Sequence, residues 1–500
     1  MKLHSEILRL AIPSILANIT VPLVGMVDIA VAGHLAADFS SAALIGGISV
    51  GTMLFDLLYW NFAFLRAGTG GLTAQAYGNT LNTVGSAPSY TPAALNPSTT
   101  FSESPGDGGP PAGGYYRLGA ILLRALRIAV LAGVALILVQ WLVVQGAFLV
   151  VKCSPEVREL ASQYFYIRIW AAPATLSLFA FKGWFIGMQD SVRPMTADIL
   201  VNFLNIVLSI ILATQTPLGF RGIAIGTVIA QWSGFAYCTA AALLRYRQCF
   251  PPRGREIGHF SGTAAENEVR GREIGLKSGR DGFFRMNRDL MLRSLGMIAV
   301  YIGFTVISAR YGDLMLAVST ILMKLLMIFS YFTDGFAYAG EALTGRFIGE
   351  KSPDGVRSTV RQTFLWGLGV TALFMLVYGF GGAGLFGLMT ADPSVIEAGR
   401  QFIPWLLLMP LIGCPAFIWD GIYIGATASR DLRNSTLLCA VGFFAVWFAG
   451  IALAGGGSGH ASPETAIHIL MAAYFMHLAI RTIYLTLRRR SLPYLGGSRQ

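Results

Sequence analysis

The sequence predicts an all-α membrane protein, with twelve transmembrane helices in two six-helix lobes around a central cavity. Three observations carry this expectation. Charged residues make up 13% of the 500-residue chain, about half the roughly 25% of a soluble domain, so most of the surface does not face water. The apolar residues come in long blocks. Residues 121–149 contain no acid, and their only cations are Arg124 and Arg127 near the start; about 20 apolar helical residues cross a hydrocarbon core of roughly 30 Å. Lysine and arginine, finally, concentrate on alternate connections between the blocks.

Span 1 covers residues 7–33 and carries Pro13 and Pro22. It runs on past Pro22 with no small-residue cleavage site behind a short apolar core, so it reads as a retained span and not as a signal peptide. Span 2, 42–65, has a tail to about residue 78. Span 3, 119–147, holds the acid-free block, span 4 covers 160–187, span 5 covers 194–213 and span 6 covers 220–244. After a polar stretch come spans 7 (289–310), 8 (315–348), 9 (359–389), 10 (397–426), 11 (432–454) and 12 (464–487). With the N-terminus cytoplasmic, inside segments hold 30 lysines and arginines and outside segments hold five, namely Lys152, Arg158, Arg221, Arg310 and Arg400. An odd number of spans breaks this alternation, so the count and the orientation support each other. Both termini are expected in the cytoplasm and the chain in the inner (plasma) membrane.

The net charge of +11 therefore reads as the cytoplasmic loops of a membrane protein rather than a nucleic-acid surface. The five cysteines form no CxxC pair, which gives neither a metal site nor a disulfide framework. Two segments read as solvated linkers: 79–114, rich in Ser, Thr, Pro, Gly and Asn, and 246–285, charged and Gly-rich. The expected organisation is an N-lobe at 1–245 with 79–114 as a flexible cytoplasmic insertion, a linker at 246–288, a C-lobe at 289–490 and a cytoplasmic tail at 491–500.

The halves repeat weakly. Gly71-Leu72-Thr73 to Gly78 at the end of span 2 matches Ala342-Leu343-Thr344 to Gly349 at the end of span 8, an offset of 271. Gly183-Trp184-Phe185-Ile186-Gly187 matches Gly421-Ile422-Tyr423-Ile424-Gly425, an offset of 238. The 33 extra residues of the first half have about the length of the 79–114 segment, which therefore reads as an insertion into a duplicated six-helix unit. Paired six-helix halves are a transporter architecture.

Ionisable residues inside the spans each need a reason, because a charge in hydrocarbon costs several kcal/mol, about 3 on insertion scales. Asp28 stands among Val24-Gly25-Met26-Val27 and Ile29-Ala30-Val31-Ala32-Gly33 on the span that Pro13 and Pro22 can kink. A carboxyl group so placed is a candidate proton carrier; the plain alternative is a structural aspartate bonded to nearby Asn and Thr. Asn202 and Asn205 of span 5 and Thr227 of span 6 are candidate partners, or ordinary interhelical polar bonds. Asp334 and Glu341, seven apart, share a face of span 8, and Asp420 of span 10 aligns with Lys182 in the repeat. These three acids are candidates for a substrate cavity, with ion pairs to Lys324 or Arg346 as the alternative. Arg168 and Lys324 read as snorkelling or paired, and Asp56 and Asp198 as near helix ends.

The motifs resemble a known family. Leu10-Ala11-Ile12-Pro13 with Val21-Pro22 through Asp28 and Gly33-His34-Leu35 resembles the first helix of multidrug and toxic compound extrusion (MATE) transporters. Phe64-Leu65-Arg66 through Ala76, Asp334-Gly335-Phe336 through Leu343, and Trp419-Asp420-Gly421 through Thr427 are similar to signatures of the DinF-like branch. The resemblance spans about 1–78 and 115–490. It implies a monomeric twelve-helix antiporter, with no cofactor beyond the coupling ion, exporting small cationic or amphipathic compounds against proton or sodium influx. It also implies an ion-coupling site in the N-lobe at Asp28, Asn205 and Thr227. Some members carry a second aspartate one turn after the span 5 asparagine; Ser209 stands there, so a two-carboxylate relay is not expected. Two other classes fit the sequence less well. A lipid-linked sugar flippase of the same superfamily calls for a basic cavity, whereas the inward charges named here are mostly acidic. A membrane enzyme calls for a clustered constellation that the six histidines do not form in sequence.

Overall fold

The computed structural model describes residues 2–35, 40–85, 112–151, 153–250, 263–390, 393–454 and 462–496. Among them the backbone is helical, with no strand. The first half contains α1 (Lys2–His34), α2 (Ser41–Trp60), α3 (Phe64–Gly85), α4 (Ala112–Leu138), α5 (Gln140–Val150), α6 (Pro155–Arg168), α7 (Ala172–Gly187), α8 (Val192–Thr214) and α9 (Phe220–Arg245). The second contains α10 (Thr263–Ala309), α11 (Asp313–Gly349), α12 (Pro353–Met389), α13 (Pro393–Arg400), α14 (Ile403–Gly425), α15 (Ser429–Ala454) and α16 (Pro463–Arg488). Twelve helical stretches among the described residues are long and apolar enough to cross a membrane, as expected.

Local chemistry sets the boundaries. Ser154, Ser352 and Ser462 each cap a helix by accepting a hydrogen bond from a backbone N–H three residues on, and each is followed by a proline in the first turn. There the missing proline N–H costs nothing, because that donor has no helical acceptor. Spans 2 and 4 are each broken once: span 2 by a turn at 61–63, and span 4 by the 3-10 turn Ile169–Ala171 ahead of Pro173. Span 3 ends earlier than expected, at Leu138, with α5 as a separate apolar helix. Span 9 ends at Gly382, whose φ of 42° only glycine adopts without strain. Span 10 begins at Ile403, and 393–400 is a helix of its own.

The segment at 246–285, expected as a poorly ordered linker, is helical from Thr263 and runs directly into span 7 as the 47-residue α10. In the sequence Glu266 and Arg270, Glu268 and Arg272, and Glu273 and Lys277 are spaced i,i+4 with the acid first, an order that favours helix. The expected insertion shrinks in the same way, since α3 runs on to Gly85 and α4 begins at Ala112. Residues 86–111 lie outside the described residues, as do 251–262.

The chain forms two compact units. The N-terminal unit comprises Ile19–Arg288 with Gly349–Lys351, and the C-terminal unit comprises Met1–Asn18, Asp289–Ile348 and Ser352–Gln500. The start of α1 thus belongs to the C-terminal unit, where Arg346 pairs with Glu6 at 3.2 Å and Trp366 bonds His4 at 3.2 Å. The core is apolar, as in a soluble protein, but it also holds charged groups, and the outside carries large apolar side chains. Glu341, Asp289 and Arg481 are buried, while Phe380 is 90% and Leu149 84% exposed. Apolar residues on the outside suit a lipid solvent, and polar ones are kept where other protein groups satisfy them.

The internal repeat is present in three dimensions. Close backbone crossings occur at Gly183 against the Arg66 carbonyl and at Gly187 against that of Gly70. In the other unit Gly421 meets the Ala337 carbonyl and Gly425 that of Glu341. These pairs are related by the same two offsets, 238 and 271, that the sequence motifs show. Both helices end alike. Gln189 (φ 63°) and Thr427 (φ 55°) are left-handed. Asp190 N–H donates to the Phe185 carbonyl, and Ala428 N–H to that of Tyr423, each at 2.9 Å.

Candidate functional site

In the N-terminal unit α1, α8 and α9 bring together the polar residues singled out in the sequence. Asp28 is 5% exposed, and Asn205, Ser209 and Thr227 are equally buried. The Asn205 side-chain amide donates to the Thr227 hydroxyl at 2.8 Å, and that hydroxyl donates to the Ile223 carbonyl at 3.1 Å. Ser209 lies one turn along α8 from Asn205; its hydroxyl donates to the Ile223 carbonyl at 3.5 Å, and it stands near the Asp28 carboxylate. Asn202 sits elsewhere on this seam. It donates to the Thr20 hydroxyl at 2.6 Å. The pairs Thr20–Asn202 and Asp28–Ser209 advance together along both helices, so α1 and α8 run in the same direction, as spans 1 and 5 must.

One positive charge acts on this cluster. Arg168, at the broken point of span 4, lies within electrostatic reach of Asp28 and Asp56. Its guanidinium donates to the Tyr164 hydroxyl at 3.0 Å and the Thr52 hydroxyl at 3.5 Å, and it covers the rings of Phe55 and Tyr164 at 4.8 and 5.5 Å. Packing on aromatic faces is how a guanidinium is kept in place without a carboxylate in contact. Asp28 Oδ1 and Asn205 Oδ1 are both buried acceptors without a hydrogen-bond donor among the described residues.

In the C-terminal unit the three candidate acids separate. Asp420 is 8% exposed; Arg481 donates from Nε to its Oδ1 at 3.0 Å, and Arg481 and Arg293 both close on Oδ2. Asp334 joins this group through its field on Arg481. Glu341 is fully buried where α11 crosses α14 at Gly425. The two alternative ion-pair partners, Arg346 and Lys324, lie elsewhere: Arg346 is with Glu6, and Lys324 is exposed. Arg293 and Arg481 fall among the 30 lysines and arginines that the loop count assigns to inside segments; the sequence signal that sets Arg481 apart is its place inside span 12, between Ile480 and Thr482. Lys182, the repeat counterpart of Asp420, pairs with Asp198 at 2.5 Å. Related positions therefore carry opposite charges, each met by a partner from another helix. No group of three potential metal-ligating side chains occurs among the described residues.

Comparison with known proteins agrees with this architecture. The MatE family model matches residues 112–211 and 290–450. The chain is 33% identical over 439 residues to DNA damage-inducible protein F of Escherichia coli K12, covering 87% of this chain and 83% of that protein. It is 26% identical over 331 residues to Protein DETOXIFICATION 45, chloroplastic, of Arabidopsis thaliana, covering 65% of this chain and 54% of that protein. Among solved structures, a MOP superfamily transporter from Pyrococcus furiosus superposes with a TM-score of 0.69 at 17% identity, covering 97% of this chain and 96% of that one. A mutant of the Vibrio cholerae MATE transporter VcmN superposes with a TM-score of 0.75 at 14% identity, covering 99% of both. At these identities the two structures share the fold. With the family model over half of the chain and the bacterial relative over most of it, the chain belongs to the MatE family of multi-pass membrane transporters, which bind small molecules within the membrane and are not enzymes.

Proposed function

We propose that this transporter is a secondary antiporter, exporting cationic or amphipathic toxic compounds in exchange for protons, with sodium the other candidate ion, by alternating access. The observation that carries the reading is a buried carboxylate, Asp28, near Ser209 of α8 and the buried, bonded Asn205–Thr227 pair. A proton on Asp28 makes it a donor among acceptors, and Asn205 Oδ1 is an acceptor without a donor. Its release leaves a negative charge within electrostatic reach of Arg168. The two protonation states thus favour different packings of α1, the helix with Pro13 and Pro22, against α8. The names of the relatives support export of toxic compounds. The lysine and arginine bias supports cytoplasmic termini, and the bacterial relative supports the plasma membrane. The reading takes the working unit as a monomer.

The test is transport of a cationic dye by proteoliposomes under separate proton and sodium gradients. Asp28→Asn is expected to abolish dye-driven proton release while the protein remains folded and inserted. Unchanged coupling in that variant overturns the assignment. Uptake driven by sodium alone moves the coupling ion to sodium.

A further inference from the structure

Within the C-terminal unit, α10 and α11 enclose a crevice of about 90 Å³ whose walls include Tyr301, Phe304, Met323, Lys324 and Met327. Lys324 lies ten residues past Leu314, the start of its span, or roughly 15 Å along the axis at 1.5 Å per residue. It is exposed, and among the described residues no carboxylate pairs with it. A four-carbon stem at that depth does not reach the water beyond either end of the span. The crevice also presents the hydroxyls of Thr305, Ser308 and Thr320, but these donate their protons to carbonyls of their own helices at 3.1, 3.0 and 2.7 Å. The lining therefore offers one uncompensated positive charge, aromatic faces and thioethers, with no acid. Phe304 is held edge-on by Tyr474 at 5.7 Å, and Tyr474 in turn lies 5.6 Å from the ring of buried His477, which gives the site a fixed wall.

An ammonium kept this deep in a span needs a countercharge. We propose that the crevice binds the anionic head of an amphiphile — a carboxylate, sulfonate or phosphate on an apolar body — with Lys324 as its counter-ion. The volume suits a head group and not a drug-sized body. The apolar part finds exposed Ile302, Val306 and Ile328 on the same stretches of α10 and α11. A cation is repelled from this position, so the site is distinct in charge preference from the acidic candidates above. The proposal does not depend on the antiport reading, because its test uses no gradient.

The probe is 11-(dansylamino)undecanoic acid, titrated by fluorescence against the full chain in phosphatidylcholine nanodiscs, with its methyl ester as the uncharged control. Saturable binding of the acid is expected. Lys324→Gln should weaken it about tenfold or more, which is 1.4 kcal/mol per factor of ten, and Lys324→Arg should retain it. The ester should not respond to either substitution. Ser308→Trp, which fills the crevice and keeps the charge, should lose binding as Lys324→Gln does. Competition by added phosphatidylglycerol identifies the anion as a lipid headgroup, and its absence identifies a free amphiphile; both keep the site. Equal binding of the acid by wild type and Lys324→Gln, or of acid and ester by wild type, overturns it.

Discussion

Arg481 donates from Nε to Oδ1 of Asp420 at 3.0 Å in the interior of the C-terminal unit, and Arg293 closes on the other carboxylate oxygen. Arg481 is 1% exposed, so neither it nor its partner is solvated by bulk water. Removing one member of such a group leaves the others charged and buried, a loss of about 3–5 kcal/mol. Asp420→Ala is expected to lower the thermal unfolding midpoint in detergent more than Asp420→Asn, which keeps an acceptor oxygen for the guanidiniums. The half-exposed pair Lys182–Asp198 in the other unit should respond less to Lys182→Ala. Equal midpoints for all three variants contradict the assignment of Asp420 as the centre of the cluster.

The crossings at Gly187 and Gly425 place backbone carbonyls where a side chain would stand. A methyl group at either position meets main-chain atoms that cannot move aside, unlike the end of a flexible side chain. Gly187→Ala and Gly425→Ala are each expected to cost about 1–3 kcal/mol or more and to lower the yield of monodisperse protein. Gly146→Ala, where nothing lies within 4 Å of the added carbon, is the neutral control. Size-exclusion profiles and unfolding midpoints of the three variants decide the matter.

Thiol chemistry separates the cysteines. Cys249 follows α9 outside the spans, and burial pushes its thiol up to about 12. Its thiolate fraction at pH 8 is therefore roughly one part in ten thousand, and its reactivity should rise only as the pH approaches 12. Cys238, Cys414 and Cys439 are buried in spans, whereas Cys153 is half-buried in the connection before α6. A membrane-impermeant maleimide at pH 8 should modify Cys153, with the signal lost in Cys153→Ser. Labelling in intact cells supports cytoplasmic termini. Labelling confined to inverted vesicles reverses the orientation.

Much of the architecture was legible in one dimension. Apolar length marks a span because hydrocarbon thickness is a fixed ruler, and the loop charges follow from the cost of carrying cations across. The 238 and 271 offsets of two short glycine motifs reappear as equivalent helix crossings, since close approach of backbones leaves glycine in place at the crossing points. The helix over 263–283 is hard to read from the sequence because charge and glycine content point to a linker, while the i,i+4 spacing of three acid–base pairs points to a helix.

The sequence by itself determined the class of molecule, its twelve spans, its duplicated halves and the set of intramembrane polar residues. Tertiary structure decided their partners. Asn205 found Thr227, Asn202 found Thr20, and Ser209, noted for lacking a second carboxylate, came to face Asp28. Asp420 took Arg481 and Arg293 in place of Lys324 or Arg346, which left Lys324 exposed at its crevice. Burial of a span follows from composition summed along the chain. The choice of ion-pair partner turns on distances of a few ångströms between helices far apart in sequence, and those are set only when the helices pack.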